Sequence, residues 1–189
     1  GLSEGGATSG LDLALSGFSR WPYFKLFGDA SGKLSYTFTE TGGRAHMVRT
    51  EGLAFDLASP NYFGAWVFGD LSGNSLKYEF EDADGLPRVV QAATIDWAGW
   101  ELIPVSLDGI GTSGTAKFTG IRLEHKEGAQ MQGELFFDNA GKVANVATAA
   151  RQTHSAAWGV YPNPAISHLV FSLPPGLQHK ARLEIFNAT

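Results

Sequence analysis

Cysteine is absent from the chain. Neither a disulfide framework nor a thiolate-held metal is therefore available. Charge is also sparse, at 17% of residues against 43% hydrophobic, a balance that suits a packed core and excludes a disordered chain. The 14 basic residues are outnumbered by 19 acidic ones, for a net charge of −5. Such a surface gives no attraction to a phosphate backbone, so nucleic acid is not an expected partner. No apolar run reaches the roughly 18 residues of a membrane-crossing helix. A nucleophile elbow, a phosphate loop and a metalloprotease helix are likewise missing. The five histidines, at positions 46, 125, 154, 168 and 179, show no ligand-like spacing and read as surface or edge residues. The first residue, Gly1, is not a start methionine, and the chain reads as part of a longer precursor.

What is present is glycine, 24 residues of it, and aromatic residues at 12%. Glycine in that amount weakens helix interiors, and Trp, Tyr and Phe beside Thr, Val and Ser suit a pleated, half-buried surface. Short apolar runs alternate with turns, predicting strands at Leu11–Leu15, Lys33–Thr39, Ala45–Thr50, Tyr62–Phe68, Ser75–Glu81, Arg88–Ala93, Trp100–Ser106, Phe118–Glu124 and Gly133–Asp138. Thr41-Gly42-Gly43, Gly69 to Asn74, Asp82-Ala83-Asp84-Gly85 and Lys126-Glu127-Gly128 separate them. The expectation is an all-β, two-sheet antiparallel β-sandwich, a jelly roll, over residues 1–140. Residues 141–157 read as a low-complexity linker and 158–189 as a short second block.

Within Ser75–Glu81, alternation sends Leu76, Tyr78 and Phe80 to the core and Lys77, Glu79 and Glu81 to a polar face, which Arg88 and Gln91 of the next strand can join. A sugar site needs rings that stack on C–H surfaces beside groups that bond hydroxyls. Trp66, Trp97 and Trp100 are candidate rings. Trp97 follows Asp96 in a turn and is the better placed for the surface, while burial is the usual fate of Trp66 and Trp100. Trp21 and Tyr23, flanking Pro22, are further ring candidates. Glu79 and Glu81, about 7 Å apart along one strand face, raise a second reading, a small glycanase or lyase using a carboxylate pair. A purely structural surface-assembly domain is the third. Asp70, Asp82 and Asp84 read as turn residues bonding local amides.

Two stretches resemble known families. Gly64-Ala65-Trp66-Val67-Phe68-Gly69-Asp70, then Ser72-Gly73-Asn74, Asp82-Ala83-Asp84-Gly85, Ile95-Asp96-Trp97-Ala98-Gly99-Trp100 and Phe136-Phe137-Asp138-Asn139 follow one another as in the carbohydrate-binding-module-like jelly rolls attached to glycosidases and phosphodiester glycosidases. That resemblance implies a non-catalytic module binding a polysaccharide or oligosaccharide, often with one structural Ca2+. Asp138 resembles the family's metal position, and Asp12 is the nearest carboxylate in the strand expected to complete it. The family's opening acidic strand is not recognisable here; Leu15-Ser16-Gly17-Phe18 stands near its place.

Val160-Tyr161-Pro162-Asn163-Pro164-Ala165, Leu169-Val170-Phe171 and Leu183-Glu184-Ile185-Phe186-Asn187 resemble the C-terminal sorting domain of the type IX secretion system, here truncated before its last strands. This implies export by that machinery in a Bacteroidetes-type bacterium, to the medium or the outer cell surface.

Overall fold

Strand Ser75–Glu81 shows how the sequence pattern becomes structure. Leu76, Tyr78 and Phe80 are buried, while Lys77, Glu79 and Glu81 point to the opposite face. The computed structural model describes residues 8–58, 61–143, 159–161 and 170–172, and the chain divides into two units, Gly1–Val146 and Ala147–Thr189. In the first unit the strands are β1 (Gly17–Trp21), β2 (Ser31–Thr37), β3 (Arg44–Asp56), β4 (Tyr62–Asp70), β5 (Ser75–Glu81), β6 (Pro87–Thr94), β7 (Ala98–Ser106), β8 (Thr115–Glu124) and β9 (Gln132–Lys142). In the second, β10 (Gly159–Tyr161) pairs antiparallel with β11 (Val170–Ser172). No helix occurs among the described residues.

The first unit is an antiparallel β-sandwich. A five-stranded sheet, in the order β1-β2-β9-β4-β7, backs a four-stranded sheet, β3-β8-β5-β6. Chain connections pass from one sheet to the other after β2, β3, β4, β6, β7 and β8, which is the interleaving of a jelly roll with β1 added at one edge. The core lies between the sheets. Leu34, Phe63, Val67 and Leu135 of the larger sheet meet Leu76, Tyr78, Phe80, Phe118 and Leu123 of the smaller. The Tyr78 hydroxyl donates to the Ile103 carbonyl at 2.9 Å, so the one polar atom of that ring is satisfied across the sandwich.

Four expectations need correction. The first strand is β1, not Leu11–Leu15, because the Asp12 carboxylate accepts the N–H groups of Ala14 (2.9 Å) and Leu15 (3.3 Å) and folds that segment into a turn. Only Leu11 keeps a ladder contact, a single bridge to Phe38. Trp97 does not stand on the surface. It is 6% exposed in the core, with its indole N–H donating to the Val67 carbonyl. Gly69 makes the slot, since a Cβ there would lie 2.5 Å from the Trp97 carbonyl oxygen and 2.6 Å from the indole nitrogen. His125 is buried rather than superficial, and its ring packs 5.5 Å from that of Phe38. The expected linker begins later than residue 141, since β9 runs to Lys142; residues 144–158, the Pro162–Pro164 turn and the expected strand at 181–186 lie outside the described residues.

At the end of β4, Asp70 sits in a buried polar cluster. Its Oδ2 accepts the Tyr36 hydroxyl at 2.7 Å, its Oδ1 accepts the Ser72 N–H at 3.1 Å, and Asn74 donates to the Tyr36 oxygen at 3.2 Å. Burial raises the Asp70 carboxyl above the usual carboxylate range, outweighing the hydrogen bonds from Ser72 and Tyr36 that lower it. A folded-state pKa above the unfolded value favours the neutral acid, so this contribution to stability is full at low pH and is lost as pH rises through the raised value. Asp70→Asn, which stays neutral, is therefore expected to melt progressively higher relative to the parent as pH goes from 4 to 7. Thermal denaturation across that range checks it; a gap that stays constant would refute the assignment.

Candidate functional site

Outward faces of antiparallel sandwiches are usually polar. The outer face of the five-stranded sheet is not. In β4 the inward residues Phe63, Ala65 and Val67 alternate with outward Trp66 and Phe68, so the strand is apolar on both sides. In β9, Phe137 turns inward and Phe136 outward; in β7, Ile103 turns inward and Trp100 outward.

Register sets these side chains in rows. Ser19, Lys33, Phe136, Phe68 and Trp100 stand opposite one another across β1, β2, β9, β4 and β7. At about 4.8 Å per strand, the three rings span roughly 10 Å. Two residues along, Asp138, Trp66 and Leu102 form a second row. At the β1 edge lies Trp21, with the Lys33 ammonium 4.6 Å from its ring centroid and 5.8 Å from that of Phe136. Lys33 also pairs with Glu134 at 2.6 Å, and Glu134 accepts the Ser35 hydroxyl at 3.2 Å.

The β1–β2 loop, residues 22–30, folds onto this face. Phe24 is 8% exposed, with its centroid 4.8 Å from Phe68, 4.8 Å from Phe136 and 5.4 Å from Trp100, nearly parallel to the last at 26°. Phe27 lies 6.1 Å from Trp66 and is 46% exposed, and Tyr23 lies 5.5 Å from Trp21 and is 69% exposed. Trp21 and Tyr23, expected as ring candidates, thus stand on the same face as Trp66 and Trp100. Both of these last two are half-buried on the sheet's outer side, where the sequence favoured burial.

The polar residues singled out in the sequence lie on the other sheet. Lys77, Glu79 and Glu81 do share one outward face, but every one is engaged. Lys77 pairs with Glu124 at 2.5 Å and Glu81 with Lys117 at 2.7 Å. The Glu79 side chain, 10% exposed, pairs with both His46 and Arg122. Arg88 leaves that row for the hairpin turn, where its Nε bonds Asp82 at 2.8 Å. Gln91 accepts the Ser75 hydroxyl at 2.8 Å and donates to the Ala93 carbonyl at 2.7 Å. Asp82 is the turn residue expected. It accepts the N–H groups of Leu86 and Asp84, and these together with Arg88 hold its carboxyl below the usual carboxylate range.

Asp138 and Asp12 do not meet. Asp138 Oδ2 accepts the N–H groups of Leu26 (2.8 Å) and Phe27 (2.9 Å). Asp12 lies beside Thr37, which is paired with Gln132, six positions back along β9 and about 20 Å from Asp138 by strand rise. The two cannot share an ion, and among the described residues no three His, Asp or Glu side chains converge as metal ligands.

The aromatic face had a readable signature. Phe63–Phe68 is a run too apolar for a strand with one solvated side, Phe136-Phe137 must send one ring outward, and the Trp21–Phe27 segment carries four rings with nowhere to bury them in a turn. What pattern alone could not supply is the register that aligns them.

No protein-family model matches the chain, and no curated protein does. Solved structures do. The family 30 carbohydrate-binding module of the cellulosomal cellulase Cel9D-Cel44B of Clostridium thermocellum is similar at 13% identity, over 74% of this chain and 92% of that one, with a TM-score of 0.47. The module TmCBM61, solved with β-1,4-galactotriose, is similar at 15% identity, over 71% of this chain and 86% of that one, with a TM-score of 0.44.

Proposed function

We propose that residues 8–143 form a non-catalytic glycan-binding module whose site is the outer face of the five-stranded sheet. The observation that carries this is the outward row Phe136, Phe68 and Trp100 with Trp66 beside it, rings that the core does not need and that a solvated sheet would not keep. Sugar rings offer C–H faces to such a surface, and Lys33, Glu134 and Ser35 at its margin supply hydrogen bonds to hydroxyls. Of the residues expected from sequence, Trp66 belongs to this face. Lys77, Glu79, Glu81 and Gln91 join strands of the opposite sheet, and Arg88 braces its β5–β6 turn. Held by His46, Arg122 and Lys117, the Glu79 and Glu81 carboxylates are poorly placed to act as a catalytic pair.

The tail supports a wider setting. Tyr161-Pro162-Asn163-Pro164 resembles a type IX sorting motif, and we propose on that resemblance that the module is delivered outside the cell as part of a larger protein.

The test is isothermal titration of the full chain against β-1,4-galactan, cello-oligosaccharides, xylan and polygalacturonate, each with added calcium and with EDTA. Binding to at least one neutral glycan, without release of reducing ends, is expected, and Glu81→Gln is expected to bind like the parent. No binding to any of these under either condition, by the parent chain and by Phe24→Ala alike, would overturn the reading.

A further inference from the structure

Phe24 lies where a bound sugar ring would have to lie. Its ring is stacked on Trp100 and edges onto Phe68 and Phe136, so it covers the centre of the row proposed to hold glycan. It is also the one buried side chain of residues 22–29; Pro22, Tyr23 and every residue from Lys25 to Asp29 are exposed. Beyond the Phe24 ring, Asp138 and Ser31 tie the segment to the sheet. Asp138 Oδ2 takes two backbone N–H groups, and the Ser31 hydroxyl donates to the Phe24 carbonyl at 2.5 Å. The Lys25 ammonium bonds Pro22 and Asp29 carbonyls of the same segment, contacts that travel with it.

These contacts copy a ligand. One flat ring covers an aromatic platform, and two donors sit on a carboxylate beside it, which is what a pyranose with vicinal hydroxyls would present. We propose that the β1–β2 loop is a displaceable lid: Phe24 competes with the glycan for Trp100, Phe68 and Phe136, and Asp138 is the positioning residue that holds the lid shut. The inference rests on the glycan-binding reading of this face. It gives Asp138 a role with no metal in it, and it makes Phe24 the residue that sets affinity. A ligand that binds only the open form has its apparent affinity reduced by the fraction of molecules that are open.

The sign of one effect separates a competitor from a contact residue. Titrated with cellohexaose and with β-1,4-galactotriose, Phe24→Ala is expected to bind at least one of them about tenfold or more tighter than the parent. A residue that merely forms part of the binding surface would give weaker binding when truncated. Amide hydrogen exchange on the parent chain gives a reading that needs no variant: saturating glycan is expected to speed exchange at Leu26 and Phe27, because their partner Asp138 is given up. Without ligand, Asp138→Ala is expected to speed exchange at those two amides about tenfold, and Asp138→Asn, which keeps a carbonyl oxygen, to restore most of the protection. Equal or weaker binding by Phe24→Ala, or slower exchange on ligand addition, overturns the lid while leaving the glycan site standing. Failure of both the parent and Phe24→Ala to bind either probe or any glycan tested above removes the site and the lid together.

Discussion

Phe63→Ala is expected to destabilise the first unit by about 4 kcal/mol, the range for truncating a buried phenylalanine. Phe63 is fully buried in β4, an interior strand of the five-stranded sheet. Its ring is stacked on Phe118 at 4.7 Å and packs on Phe55 and Phe80 at 5.3 Å each, with Tyr78 at 6.2 Å, so it is the side chain of the larger sheet that engages the aromatic cluster of the smaller one. Removing it takes contacts from four other rings at once. Rigid strands on both sides keep the cavity from collapsing, which places the cost toward the upper end of the range. Against a typical total stability of about 5–15 kcal/mol, this is a large fraction. Urea denaturation should show the midpoint falling by about 2 M, at a slope of about 2 kcal/mol/M that stays unchanged. Val48→Ala, at a position 64% exposed on β3, should move it by no more than about 0.5 kcal/mol. A loss below about 1 kcal/mol at Phe63 would mean that the two sheets do not meet where described.

Trp66→Ala should weaken glycan binding by about 30-fold or more, the effect of removing a side chain worth about 2 kcal/mol from the centre of a binding surface. Trp66 stands outward on β4, between Asp138 and Leu102 in its row, with the exposed ring of Phe27 at 6.1 Å. Its chain neighbours Ala65 and Val67 face the core and are left in place, so a folded protein with a defective surface is expected. The parent and the variant are compared by titration with the same glycan, alongside a urea curve. If binding falls less than threefold while the fold is intact, the site lies elsewhere. If stability falls by as much as in Phe63→Ala, Trp66 belongs to the structural core.

Much of the sandwich was legible from the chain. Ser75–Glu81 was read at both ends, and the other strands from β2 to β9 were located to within a few residues of their ends, apart from β3, whose bulged continuation past Val48 carries it to Asp56. A period of two and a turn signal are local properties, and local chemistry sets them. Where a side chain competed with the ladder, local reading failed, as when Asp12 captured two amides and turned Leu11–Leu15 into a bend.

The site was less legible, because alternation tells which residues share a face but not which face meets the other sheet or what covers it. Lys77, Glu79 and Glu81 looked like ligand groups until the partners across the sheet, Glu124, His46, Arg122 and Lys117, were known. Trp97 looked exposed because a turn follows Asp96; a glycine 28 positions earlier decides otherwise.

By itself the sequence determined an all-β unit, its strand periodicity and the excess of aromatic residues that must find burial or a ligand. Tertiary structure alone decided that Lys33, Phe136, Phe68 and Trp100 form one row, that Phe24 lies on it, and that Asp138 holds a loop. The physical reason is that register and loop docking depend on hydrogen bonds and packing between segments up to about a hundred residues apart in the chain, for which no local pattern carries the information.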